Sequence, residues 1–240
     1  MRREVFFIAD DFGQDAQANA AIVAAHVNGA LRGASLMMGQ PATEEAVRMA
    51  RDTPGLQIGW HLHLCDSKPV TRDAWPWARS HTRAGWAMGL SRSGWRLMRD
   101  ETSAQWEMYQ ATGLPCAFVN SHHHLHAHPF VYAALLEVLP QKFDGWLRLG
   151  APRFFSPVKG DWWMEAVDHA FMESRRRHCP HRCSDTIWGL GRLHRMRAQE
   201  VTGAMSHLPP GLHEFMFHPK ANTDDTDLRC LIDLKGMGIQ

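Results

Sequence analysis

The chain has 240 residues, 26 basic and 25 acidic side chains, a formal charge of +1, 45% hydrophobic residues and 21% charged ones. That composition fits one folded domain and excludes disorder and collagen-like structure, and the near-neutral charge argues against nucleic acid as the main partner. No apolar run reaches the roughly 18 residues of a membrane span. Histidine (16 copies) and tryptophan (10) stand out, with five of the histidines inside residues 122–128.

In chain order, the apolar run Glu4–Ala9 predicts a buried strand that ends in Asp10-Asp11-Phe12-Gly13. A helix is expected from about Asp15 to Asn28, stopped by Gly29. A second strand is expected over Ala34–Met38, and a second helix over Thr43–Arg51 with Thr43 as its cap. Gln57–Leu64 reads as a strand carrying His61 and His63. From Cys65 to about Arg99, proline and glycine interrupt the pattern and Trp75, Trp77, Trp86 and Trp95 decorate it, so an irregular functional loop or lid is expected. A helix near Asp100–Thr112, a strand at Cys116–Asn120, a helix opened by Pro129 and running over Phe130–Leu139, and a strand at Gly145–Leu149 follow. Residues 150–197 carry no clear pattern, and His213–Phe217 reads as a late strand. Strands alternating with helices predict parallel β/α units with reactive residues at the carboxyl ends of the strands. Asp10-Asp11, His61, His122 and His218 all have that placement.

The five cysteines have irregular spacing and read as reduced thiols of a cytoplasmic protein. His178-Cys179-Pro180-His181-Arg182-Cys183 contains zinc-ligand residue types. Its spacing is loose and lacks a second pair, so a basic surface loop is the plainer expectation. Arg175-Arg176-Arg177 with Arg182, Arg192, Arg195 and Arg197 reads as a solvated face, with peripheral contact to an anionic membrane as the alternative. The tryptophans of residues 65–100, and Trp162-Trp163, read as packing residues before sugar-stacking ones.

The chemistry lies in the carboxylates and imidazoles. One of Asp10 and Asp11 can bind a metal while the other acts as a base, although on spacing alone a helix-capping turn is the plainer reading. His61 and His63, two apart in a strand, point to one face, as would His122, His124 and His126 in an extended segment. A catalytic metal takes about three protein ligands, so the remaining histidines must orient ligands, touch substrate or lie exposed. His218 before Pro219 is a candidate proton donor.

Four ordered stretches carry a resemblance: Ala9-Asp10-Asp11-Phe12-Gly13, Ile58-Gly59-Trp60-His61, Ser121-His122-His123-His124-Leu125-His126 and Glu214-Phe-Met-Phe-His218-Pro219. Together they resemble the YdjC-like carbohydrate deacetylases, a family that includes chitooligosaccharide deacetylases and deacetylases associated with hopanoid biosynthesis. The resemblance implies an α/β fold, a distorted, TIM-like (β/α) barrel of the polysaccharide-deacetylase type. It implies a single domain over 1–240 with an irregular tryptophan-rich insertion at about 65–100. It implies metal-dependent removal of acetyl from an N-acetylated amino sugar, in an oligosaccharide or a sugar-lipid conjugate. By the same resemblance, Asp11, His61 and His122 hold one divalent ion, zinc or magnesium, with manganese, cobalt and nickel open. Asp10 is the base and His218 the acid, while His63, His124, His126 and Glu214 support the ligands or the substrate. Asn120 is a departure, because many relatives carry aspartate there. Two alternatives stay open: another metal-dependent hydrolase of phosphoesterase or amidohydrolase type, and a catalytically silent sugar-binding protein. The oligomeric state is not legible.

Overall fold

A computed structural model describes residues 2–77, 80–155, 170, 172–220 and 225–239. Among them are eight strands: β1 (Arg3–Phe12), β2 (Gly33–Leu36), β3 (Gln57–Leu62), β4 (Phe118–Ser121), β5 (Trp146–Leu147), β6 (Ala151–Arg153), β7 (Thr186–Trp188) and β8 (Gly211–Phe217). They lie in the order β5-β4-β3-β2-β1-β8-β7-β6, and every pairing is parallel. The two ends of this order meet. Leu147 of β5 bridges Cys183, and the Ala151 N–H of β6 donates to Asp185 O, so the segment entering β7 closes the sheet on itself. The result is a distorted (β/α) barrel. Helices among the described residues include α1 (Ala16–Asn28), α2 (Thr43–Asp52), α3 (His81–Leu90), α4 (Arg92–Ala111), α5 (Pro129–Val138), α6 (Ala198–Ser206) and α7 (Thr226–Gly236).

The period of two along each strand sorts the barrel into layers. One set of residues, Ile8, Phe118, Trp146 and Leu212, forms an apolar cluster with Phe6 packed on it. Phe6 and Phe118 flank the Trp146 ring at centroid distances of 4.6 and 5.2 Å. Gly59 explains how these rings fit: a methyl group there would lie 2.3 Å from the Phe118 ring. Two residues further along the same strands stand Asp10, His61, Asn120, Arg148 and Glu214, all buried. Apolar packing thus plugs one end of the barrel and a polar layer lies above it. The opposite strand faces pack a larger apolar cluster with the helices, including Phe7, Ala9, Trp60, Leu62, Phe215 and Phe217.

Several sequence expectations need correction. Residues 65–100 are not irregular throughout, because α3 and the start of α4 occupy much of the stretch, capped by Ser80 and Ser91. Short helical runs broken by Gly85, Gly89 and Gly94 hid them. Trp75 and Trp77 are buried and stacked at 5.3 Å, Trp95 is half-buried, and Trp86 is 64% exposed. Thr43 does not cap α2. Its hydroxyl donates to Met37 O and accepts from Gln40 N–H, shaping the preceding turn. Residues 122–127 are not extended but form a tight 3-10 turn with His123 and His124 at positive φ (53° and 56°), so His122, His124 and His126 share no face. Trp162 and Trp163 lie outside the described residues.

Candidate active site

Asp10 and Asp11 close β1, and a register shift between Ala9 and Phe12 breaks the regular alternation there. Asp11 takes φ = 67°, a left-handed conformation that aspartate tolerates better than bulky residues. This kink sends the two carboxylates to different partners. Neither caps the next helix, because Asp15 does, accepting from Ala18 N–H at 2.8 Å. Buried Asn19 holds the loop by accepting from Gly13 N–H and donating to Ala42 O.

Asp11 meets two imidazoles. Its Oδ1 lies 3.3 Å from His61 Nε2 and 3.0 Å from His122 Nδ1, and the three side chains form a group whose donor atoms all lie within 4.8 Å of one another. Around a tetrahedral ion with bonds of about 2.0–2.1 Å, neighbouring ligand atoms stand roughly 3.3 Å apart. His61 is oriented for this: its Nδ1 donates to Asn120 Oδ1 at 2.6 Å, and its buried Nε2 has no hydrogen-bond partner. The proton is thereby fixed on Nδ1 and the Nε2 lone pair faces Asp11. Burial pushes the Asp11 carboxyl up, but His122 and His61 outweigh it and hold the group well below the usual range. Burial pulls His122 down, and its hydrogen bond to Asp11 reverses that and raises it. The donor set and its spacing fit a divalent ion.

Asp10 is held in the polar layer. Ser35 Oγ and Asn120 Nδ2 donate to its Oδ1 at 2.8 and 3.1 Å, and Arg148 Nη1 donates to its Oδ2 at 2.5 Å. Arg148, fully buried, also donates through Nε to Glu214 Oε2 at 2.7 Å, while Trp146 Nε1 donates to Glu214 Oε1 at 2.9 Å. Burial raises the Asp10 carboxyl, but Arg148, His61 and His218 overcome it and keep the group far below its ordinary value. Asp10, Asp11 and Glu214 set three carboxyl groups against the single guanidinium of Arg148, an excess of acidic groups suited to a divalent cation.

His218 follows β8 directly. Its backbone N–H donates to Asp227 Oδ2 at 2.8 Å, and Asp227 Oδ1 accepts from Met196 N–H. Burial lowers its imidazole, against the pull of Asp11, Asp10 and Asp227. The other candidates divide. His63 is buried away from the ion group, hydrogen-bonding Met38 O and Ser67 Oγ, and burial pulls it down to about 3. His126 braces the backbone, with Nε2 on Arg148 O at 2.5 Å and Nδ1 on Ser121 Oγ at 2.8 Å. His124 lies beside His126 with ring centroids 6.0 Å apart, and burial holds its imidazole far below its usual range. Glu214 anchors Arg148, which in turn holds Asp10. Sequence reasoning missed Arg148 and Ser35, which sit at ordinary strand positions with no motif around them.

A second group, Asp66, His122 and His123, adjoins the first, with His123 Nε2 3.6 Å from Asp66 Oδ2 and His81 stacked on the His123 ring at 5.0 Å. The His178–Cys183 stretch forms no such group among the described residues, and all five cysteines are free thiols. Most of the basic stretch is paired: Arg176 and Arg177 with Glu173, Arg182 with Glu4, and Arg192 with Glu200. No described helix is long and apolar enough to cross a membrane.

Fold and site together define a parallel β/α-barrel protein with a candidate metal centre at the carboxyl ends of its strands. The family model described as YdjC-like protein matches residues 4–235, and the chain belongs to that family. It is 35% identical over 143 residues to a carbohydrate deacetylase of Vibrio cholerae, covering 56% of this chain and 54% of that protein. It is 35% identical over 132 residues to a carbohydrate deacetylase of Brevibacillus brevis, covering 54% and 53%. The matched region thus spans about half the length of these curated relatives. A solved structure from Enterococcus faecalis, described as a candidate cellobiose-phosphate cleavage protein, shares the fold. Its TM-score is 0.69 at 17% identity, covering 100% of this chain and 96% of that one.

Proposed function

We propose that this protein is a metal-dependent hydrolase that removes acetyl from an N-acetylated amino sugar. The observation that carries the reading is the Asp11-His61-His122 group with the anchored Asp10 carboxylate beside it. The description of the similar Vibrio and Brevibacillus proteins as carbohydrate deacetylases supports it. Asp11, His61 and His122 would hold one divalent ion, zinc or magnesium before manganese, cobalt or nickel. When bound, such an ion supplies Lewis-acid polarisation of the acyl oxygen and acidifies water at the site.

The chain's own groups handle the protons. Three donors fill three of the roughly four acceptor positions of the Asp10 carboxylate, leaving one on Oδ2 to take a proton from attacking water. Because Asp10 is such a weak base at rest, it stays ionised at neutral pH and readily gives the proton up again. His218 enters neutral, so the proton it delivers to the departing amine reaches it during the reaction. Asn120 does two tasks that an ionised aspartate could not combine: its carbonyl accepts from His61 and its amide donates to Asp10.

The experiment is acetate release from N-acetylglucosamine, N-acetylated chitobiose and an acetylglucosaminyl lipid. Release from one of these substrates supports the reading. Failure on all three together with phosphoester turnover overturns it. A second reading, a two-metal hydrolase, draws on the Asp66-His122-His123 group next to the first.

A further inference from the structure

The outer face of the α3–α4 hairpin is outside the machinery described above. α3 packs on α4 and α4 on α5, and Ser91 alone joins the first two helices. Arg83, Trp86 and Leu90, three and four residues apart, fall on one side of α3. Leu90, 77% exposed, and Trp86, 64% exposed, are the two most exposed large apolar side chains among the described residues. Phe130 of α5, also exposed, borders them, with its ring beside Gly89. Exposed arginines frame this apolar group: Arg83 on α3, then Arg92 and Arg96 one turn apart on α4, just past Leu90. No acidic residue occurs between Asp73 and Asp100. Arg99 is taken by Glu137 of α5, whereas Arg83, Arg92 and Arg96 form no ion pair among the described residues. In the other basic stretch, by contrast, Arg176, Arg177, Arg182 and Arg192 are each matched by an acid.

We propose that this face docks the protein on the surface of an anionic phospholipid bilayer. Indole rings favour the headgroup level of a membrane, and unmatched arginines are drawn to its negative charge. Trp86, Leu90 and Phe130 supply the apolar group that enters, while Arg83, Arg92 and Arg96 stay level with the phosphates. A second copy of the chain suits the face poorly, because a two-fold pairing would set the same arginines against one another. The docking also has a direction. His81, at the start of α3, stacks on His123 at 5.0 Å, and His123 adjoins His122 of the ion group. Trp86 stands only five residues on, about 7.5 Å along the helix axis. The docked face thus continues to the rim of the candidate active site, where an acetylated sugar carried on a lipid would arrive. That consequence rests on the deacetylase reading; the docking itself does not.

The test is cosedimentation of the full chain with vesicles of phosphatidylcholine, alone or mixed with phosphatidylglycerol. The protein should bind the mixed vesicles at least about ten-fold more tightly than the neutral ones, and rising salt should release it. A variant combining Arg83→Glu, Arg92→Glu and Arg96→Glu should lose about ten-fold or more in binding to the mixed vesicles. Trp86→Ser with Leu90→Ser should weaken binding by a comparable factor. All five side chains are exposed, so both variants should keep the wild-type circular dichroism and melting temperature. No binding to mixed vesicles, or undiminished binding by both variants, would overturn the proposal. So would a concentration-dependent dimer that the Trp86→Ser, Leu90→Ser variant abolishes. None of these readouts uses acetate release, so a failure of docking is distinguishable from a failure of deacetylation.

Discussion

At the scale of single residues, Asp10 and Asp11 show how neighbours in sequence acquire different chemistry. The kink at Asp11 turns one carboxylate to two imidazoles and leaves the other among Arg148, Ser35 and Asn120. Replacing Asp10 by Asn keeps the shape but removes the proton acceptor. Acetate release by Asp10→Asn should fall by about 100-fold or more while the metal content stays unchanged. Turnover near wild type would remove Asp10 from the role of base. The residue types were legible in the sequence because they sit in short motifs at strand ends. Arg148 was not: nothing near Trp146-Leu147-Arg148 distinguishes a buried cation from an exposed one, and only barrel closure brings it to Asp10 and Glu214.

At the scale of elements, the strands were easier to read than the stretches between them. Apolar runs marked β1, β3 and β8, while α3 escaped because its glycines face neighbouring chain: Gly85 lies over His128 and Gly89 over Phe130. The histidine turn after β4 also escaped, since left-handed backbone at His123 and His124 has no periodic signature. The layering inside the barrel makes a sharper demand at Gly59, where a Cβ would lie 2.3 Å from the Phe118 ring and 2.6 Å from its carbonyl oxygen. Gly59→Ala should therefore destabilise the fold by about 1–3 kcal/mol in urea denaturation. It should also weaken metal retention, because β3 carries His61 two residues on. Unchanged stability would mean that β3 and β4 are not in contact as described.

At the scale of the molecule, buried histidines tie stability to acid. His126, which links the turn after β4 to the backbone of Arg148, is held down to about 3 by burial, against an ordinary 6.5. The unfolded chain binds a proton there from about pH 6.5 downward and the folded one does not. Stability is thus complete above pH 6.5 and falls by about 1.4 kcal/mol per pH unit from this group as pH drops towards 3. His126→Gln should flatten that slope between pH 6.5 and 4.5 by about this amount, and an unaltered slope would show that His126 is not buried neutral. The fold class was readable from alternating strands and helices together with the ordered motifs. The site's charge balance depends on contacts between residues more than 100 positions apart, Asp10 with Asn120 and Arg148, and no local pattern encodes it.

The central claim is that one divalent ion, held by Asp11, His61 and His122, enables deacetylation. Titrating metal into chelator-stripped protein while following acetate release tests it most directly. Release should be absent without metal and should plateau at one equivalent, with the plateau lost in His61→Ala. Metal-independent release, or a plateau only at two equivalents, would contradict the account.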